Sequence, residues 1–183
     1  LEKGHIKERG PSQVIIDRYL ANSAELYRDT PIHLRQDREG DGRGRFQSLN
    51  LSKELQGKAF YSGKDLKLQL SFTIADPKAK KLGLELHLFN SRGNYISSLS
   101  QESEISNPSG ENWLCSIPNL NLMPGDFFFN IHLFLDGQRA DFVGRAFYFK
   151  VLDRENEANE IANQRQNPGI YLEHQWQNLN NQD

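Results

Sequence analysis

Rings, imidazoles and one amide recur at alternate positions in three apolar-patterned segments of this chain. Over 126–136, Phe128, Asn130, His132 and Phe134 alternate with Phe127, Phe129, Ile131, Leu133 and Leu135. Successive strand side chains point to opposite faces, so the all-apolar set is the buried one and the mixed set looks outward. A plain solvated face would carry Lys, Glu and Thr; this one carries rings and short polar groups. Segment 82–89 adds Glu85, His87 and Phe89 opposite Leu82, Leu84, Leu86 and Leu88, and segment 145–152 adds Tyr148 and Lys150 opposite Phe147, Phe149 and Val151. Rings stack on the C–H faces of sugars, and planar polar side chains bond paired hydroxyls. The chemistry on offer is carbohydrate binding, with His87, Phe89, Phe128, Asn130, His132, Phe134 and Tyr148 as the site, provided that the three segments are neighbours in one sheet. The competing reading covers this face with an N-terminal helix, a loop or a second protomer, because apolar patches mark interfaces as readily as grooves.

Other chemistries find weaker support. Glycosidase work needs two acids facing each other across a cleft, and Glu85, Asp136 and Asp141 show no such pairing. Ser109-Gly110 lacks a nucleophile-elbow setting, and the lone Cys115 has no evident base; it reads as a small buried hydrophobe. In 35–45, Asp37, Glu39, Asp41 and Gly42 match the start of a calcium loop, but Ser48 stands where a bidentate Glu belongs and four arginines interleave the acids. A solvated loop is expected there, with no metal. The two histidines find no third ligand at suitable spacing.

The elements that must position the outward set are short strands bounded by turn residues. Phe46–Leu51 comes first, and Gly57–Phe60 extends a hairpin. Leu66–Ala75 is the clearest half-buried strand, with Leu66, Leu68, Leu70, Phe72 and Ile74 inward. Leu82–Phe89, Tyr95–Ser100, Trp113–Ile117 and the strand over 126–136 follow; Arg139–Val143 and Arg145–Leu152 complete the series. Seven or more such segments indicate an all-β protein, an antiparallel two-sheet sandwich of immunoglobulin-like or jelly-roll type with a short N-terminal helix. Trp113 is expected in its core.

Charge excludes one class of partner. Twenty-two basic residues against 24 acidic ones leave a formal net charge of -2, so no global basic field gathers nucleic acid. No apolar run reaches the roughly 18 residues needed to span a bilayer.

The ends differ from the middle. Gly10-Pro11 opens an amphipathic helix over 11–27 whose incomplete apolar stripe needs a partner surface, so residues 1–30 read as the tail of a preceding domain. The chain begins with Leu1, which reads as a fragment of something longer. Residues 31–152 form the sandwich, and 153–168 is a polar linker too poor in apolar residues for a core. Residues 169–176 carry one isolated strand, and 177–183 a Gln/Asn-rich tail expected to be disordered. A lone strand needs sheet neighbours and can find them in its own sandwich or in a second copy. A homodimer with exchanged C-terminal strands is therefore expected, with Ile170, Leu172 and Trp176 at its interface.

Several stretches, taken together and in order, resemble one family. They are Ser62-Gly63-Lys64-Asp65-Leu66, Ile117-Pro118-Asn119-Leu120 with Leu122-Met123-Pro124-Gly125-Asp126-Phe127, Phe147-Tyr148-Phe149-Lys150-Val151, and Gly169-Ile170-Tyr171-Leu172 running to His174 and Trp176. They are similar to the C-terminal carbohydrate-binding domain of ATP-binding subunits of O-antigen polysaccharide ABC transporters, the Wzt type. Lys3-Gly4-His5-Ile6 and Gly10–Leu20 look like the close of the ATPase domain before it. The resemblance implies a sandwich that binds the exported polysaccharide on the cytoplasmic side of the inner membrane. It implies a homodimer and a transmembrane permease partner. ATP and magnesium would belong to the preceding ATPase domain; with no phosphate-cradling Gly-rich loop, the expectation is no cofactor and no enzymatic activity in this chain. The alternatives are a dimerisation sandwich without its own glycan site and, less favoured, a glycan-active enzyme.

Overall fold

The computed structural model of the 183-residue chain describes residues 10–11, 30–56, 60–107, 110–152 and 174–179. The expected N-terminal helix over 11–27, the polar linker 153–168 and the positions Ile170 and Leu172 lie outside the described residues, apart from Gly10 and Pro11. The strands are β1 (Arg38–Glu39), β2 (Gly44–Leu51), β3 (Phe60–Tyr61), β4 (Leu66–Ile74), β5 (Lys81–Asn90), β6 (Tyr95–Glu104), β7 (Glu111–Ile117), β8 (Gly125–Leu135), β9 (Gln138–Leu152) and β10 (Gln175–Asn178). They form two sheets. The larger runs β1-β9-β8-β5-β6 with β3 also on β9, and the smaller runs β10-β7-β4-β2. The all-β, two-sheet sandwich read from the sequence is what the chain adopts.

Alternation decides how the sheets meet. Leu66, Leu68 and Leu70 of β4 are fully buried, as are Leu84, Leu86 and Leu88 of β5 and Ile131, Leu133 and Leu135 of β8. Burying such rows between two sheets is the main stabilising term, at about 25 cal/mol per Å² of apolar surface. Trp113 and Cys115 of β7 join this core, and burial pushes the Cys115 thiol up to about 12.

Four expectations are corrected. The 35–45 segment is only in part a solvated loop: Arg38 and Glu39 pair with Val143 and Phe142 of β9, Arg35 is buried, and Arg38 reaches the buried Asp141. Both guanidiniums are drawn inward because carboxylates and backbone carbonyls there need donors. The pair at 60–61 does not form a hairpin with β2; it lies parallel to Val151 and Leu152. Arg139–Val143 and Arg145–Leu152 are one strand, interrupted by a bulge and not by a break. The C-terminal strand ends later than expected, since Gln177 and Asn178 pair with Leu114 and Trp113. Trp176 meets Trp113 edge-on at 6.2 Å, and the Asn178 amide donates to Glu111 and Ser106, so the tail residues hold the strand to β7.

A buried carboxylate on β9 ties the sheets together along the side where β2 faces β9, taking an ion pair from its own sheet and hydrogen bonds from β2. The Asp141 carboxylate, fully buried, accepts from the Arg38 guanidinium and from the Phe46 N–H at 2.8 Å, with Arg45 Nη1 at 3.4 Å. Arg38 in turn donates to the carbonyls of Ile32 and Phe46. Gly40, at φ +130°, lets this segment press against β9, because a Cβ there would stand 2.5 Å from the Ala140 carbonyl oxygen.

Removing one member of a buried pair leaves the other uncompensated. Asp141→Ala is expected to destabilise the fold by about 3–5 kcal/mol in urea unfolding. The double change Asp141→Ala with Arg38→Met is expected to cost less than the single one, since it removes the stranded charge.

Candidate functional site

Sheet register brings the predicted residues together. Phe89 of β5 stands opposite Tyr95 of β6 and Phe128 of β8, and Phe128 stands opposite Tyr148 of β9. Four rings therefore line up across four adjacent strands, with centroid separations of 5.6, 5.2 and 5.6 Å from Tyr95 to Tyr148. Two residues along, His87 sits opposite Asn130 and Ser98; two further, Glu85 sits opposite His132, which sits opposite Phe142. Phe134 follows, leaning over Gly83, where a Cβ would come within 3.2 Å of its own. All seven residues singled out from the sequence share this face.

Within it their roles divide. Phe89 and Phe128 are stacked nearly parallel, at 8°, so their π faces meet each other and only their edges turn to solvent. Phe128 is 5 % exposed and His132 is 7 % exposed. These two form the underlay. Tyr95, 53 % exposed, is the ring most open to a ligand, with Phe89, Phe134 and His87 half-buried beside it.

A bulge in β9 completes the face. Between the pairs Phe129–Phe147 and Ile131–Val143, Asn130 alone stands opposite Gly144, Arg145 and Ala146. Arg145 takes φ +50°, and the Asn130 side-chain oxygen accepts its N–H at 2.7 Å, while Arg35 donates to the carbonyls of Gly144 and Arg145. Bulges re-aim side chains. Here the Arg145 guanidinium is laid 5.2 Å from the Phe128 centroid, a cation–π contact, and Arg139 lies 5.7 Å from the Phe142 centroid. Asn130 is thus occupied in shaping the bulge.

The imidazoles differ from one another. His87 donates through Nε2 to the Glu85 carboxylate at 2.9 Å. His132 stacks between neighbours, 4.4 Å from the His87 ring and 4.6 Å from Phe142, with neither ring nitrogen hydrogen-bonded. Burial above all, then His87 and Arg139, lowers its pKa to about 4, so it is neutral at pH 7.

Tyr95, Phe142, Arg139 and Arg145 were missed in the sequence. Tyr95 and Phe142 follow from register once strand order is known, whereas Arg145 needs the bulge, which no alternation pattern reveals. The carboxylates weighed for catalysis are kept apart: Glu85 is on this outer face, Asp141 is between the sheets, and Asp136 sits at the β8–β9 turn accepting from the Lys80 and Lys81 N–H groups. The acids of the 37–41 stretch are paired with arginines, Asp37 with Arg35, Asp41 with Arg43 and Glu39 with Arg139. Among the described residues, no group of three or more His, Cys, Asp or Glu side chains is placed to hold a metal ion, and no helix is long and apolar enough to cross a membrane.

No family model matches the sequence, and no curated protein matches it. Among solved structures, the chain is similar to the crystal structure of the C-terminal domain of Wzt, with TM-score 0.56 and 10 % identity over 70 % of this chain and 86 % of the other. At that identity the likeness shows the fold, an antiparallel sandwich. A DNA-bound alkylpurine DNA glycosylase, AlkC of Pseudomonas fluorescens, matches at TM-score 0.41 and 12 % identity over 60 % of this chain and 30 % of that one. That score is too low to carry an argument.

The His132 pKa has a stability consequence of definite sign. Its folded value lies below the ordinary 6.5, so the unfolded chain binds the proton more readily between pH 6.5 and about 4. The stability that this neutral imidazole contributes is complete above pH 6.5 and is lost as pH falls through that window. The loss is expected to reach about 2–3 kcal/mol. Urea unfolding across that range should show His132→Leu flattening the acid-side decline relative to the unaltered chain.

Proposed function

We propose that this chain is the non-catalytic polysaccharide-binding sandwich of an ABC transporter ATP-binding subunit. It takes an O-antigen-type glycan on the cytoplasmic side of the inner membrane and couples its recognition to export through the permease. The observation that carries the reading is the row Tyr95, Phe89, Phe128 and Tyr148, flanked by His87 and Arg145 on one outer sheet face. Strands are spaced about 4.8 Å apart, so the row offers a contact at each strand to an extended chain laid across the sheet. The likeness in fold to the C-terminal domain of Wzt supports the same reading.

The chemistry assigns distinct tasks along the face. Tyr95 stacks on a sugar ring, and Phe89 contributes its edge. His87 and Ser98 are within reach of hydroxyls, and the buried Phe128 and His132 hold the exposed rings upright. Isothermal titration against a panel of bacterial polysaccharides tests this. A saturable binder is expected, with Tyr95→Ala weakening it by about five- to tenfold while the urea midpoint stays near that of the unaltered chain, and Phe89→Ala weakening it similarly with a lowered midpoint, since it also unstacks Phe128. Absence of any binder, together with a dimer that dissociates on Tyr95→Ala, would decide for the dimerisation module instead.

The proposed assembly is a homodimer with exchanged C-terminal strands, and with Ile170, Leu172 and Trp176 at the interface. Support comes from β10, which is separated from β9 by 22 residues yet contributes a ladder and an aromatic contact to β7. Those contacts are equally available to the β7 of a second copy. Sedimentation should find the full chain dimeric and a chain ending at Leu152 monomeric; a dimer that survives the truncation would rule strand exchange out.

A further inference from the structure

Round the edge from the aromatic face, the sandwich is open where β2 and β9 meet the lead Thr30–Arg35. A cleft of about 470 Å³ runs there, with Pro31, Ile32, His33, Gln47, Asn50 and Tyr148 among its walls. Its volume falls within the range of small-molecule sites. Tyr148 belongs both to this cleft and to the ring row. Adjoining the cleft, and sharing His33 and Gln47 with it, is a wholly polar pocket of about 330 Å³ lined also by Arg35, Gln36, Arg38 and Arg45.

The arginines of this pocket are not equivalent. Arg38 is saturated by Asp141 and by the carbonyls of Ile32 and Phe46. Arg35 forks onto Asp37 and reaches the carbonyls of the β9 bulge. Arg45 is different: its side chain is 43 % exposed, and it meets Asp141 only through Nη1 at 3.4 Å. These three guanidiniums are ion-paired only to Asp37 and Asp141, with Asp41 adding a more distant negative charge beside Arg45, and no carboxylate is among the residues lining the pocket. In a chain of net charge -2 this is a local concentration and not part of a general field.

A half-free guanidinium backed by two fixed ones suits one ligand chemistry. Its planar fork matches the two oxygens of a carboxylate or phosphate, and the half-enclosed wall strengthens the attraction relative to open water. We propose that this pocket is an anion subsite, Arg45 gripping the carboxylate or phosphate substituent of an acidic sugar whose ring occupies the adjoining cleft. Gln36 and Gln47 form the neutral rim, their amide nitrogens donating to the Leu34 carbonyl and to the Arg45 carbonyl and Thr73 hydroxyl respectively. The inference rests on the glycan reading for its biological ligand, but the anion grip is testable apart from it.

The test is NMR titration of the intact chain with sodium glucuronate, with inorganic phosphate and with glucose, at ionic strength held constant with chloride. Saturable shifts are expected at Arg45 Nε–H and at the Gln47 side-chain amide for at least one of the two anions, with none for glucose. A stronger response to glucuronate names a uronic-acid carboxylate, and a stronger response to phosphate names a phosphate ester. Arg45→Gln is expected to weaken binding by about tenfold or more, as loss of a charge-assisted bond does. Gln47→Glu, which puts a carboxylate into the pocket, should abolish it with the urea midpoint kept, and Arg45→Gln, which also loosens the Asp141 hub, should still unfold in one cooperative urea transition. No response to either anion, equal shifts with chloride, or unchanged binding in both variants overturns the proposal. Failure of the glycan reading would be seen separately, as polysaccharide titrations that leave Tyr95 and Phe89 unmoved while the anion response persists.

Discussion

The contact on which the architecture most depends is the carboxylate of Asp141. It is fully buried, yet three groups from the 38–46 stretch converge on it: the guanidinium of Arg38, the N–H of Phe46 and, more loosely, Arg45. A sandwich held by apolar burial alone can slide, because hydrophobic contact has no direction. A charge-assisted hub with donors from both sheets cannot slide without stranding a charge. It also blunts the outer edge of β2, where Phe46 would otherwise present an unpaired N–H and C=O to any passing strand. The same hub draws the lead Thr30–Arg35 against the sandwich and so sets the walls of the edge cleft.

From that side the structure reaches the aromatic face through the β9 bulge. Arg35 supports the bulge from one direction by binding its carbonyls, and Asn130 from the other by taking the Arg145 N–H. The Arg145 N–H and the Gly144 and Arg145 carbonyls all have side-chain partners, which helps a residue at φ +50° to be tolerated there. The gain is a guanidinium placed over Phe128. A regular strand would have kept strict alternation and left no arginine at that point.

The face is less a flat platform than a ridge. Phe89 and Phe128 stack on each other, so the surface with the greatest dispersion attraction is already used within the protein. What is left for a ligand is Tyr95, the ring edges and the polar groups between them. Such a surface favours an extended polymer touching several strands weakly over a small ligand gripped at one point. His132 fits this picture as filler, an imidazole used for its shape and ring contacts and kept neutral by burial.

Alternation along β4, β5 and β8 is a local property, and by itself it determined which residues are core, which face outward and that the fold is a two-sheet sandwich. For the same reason the seven outward candidates could be chosen before any strand order was known, since the period of two places them on one side of each strand. What alternation cannot state is which strands are neighbours and in what register. Tertiary structure alone decided that Tyr95 joins the row, that Arg38 and Asp141 meet across 103 residues, and that 35–45 is in part a clasp. Those outcomes depend on long-range partners for buried donors and acceptors. A sequence shows that such groups exist, but only the packed chain shows what satisfies them.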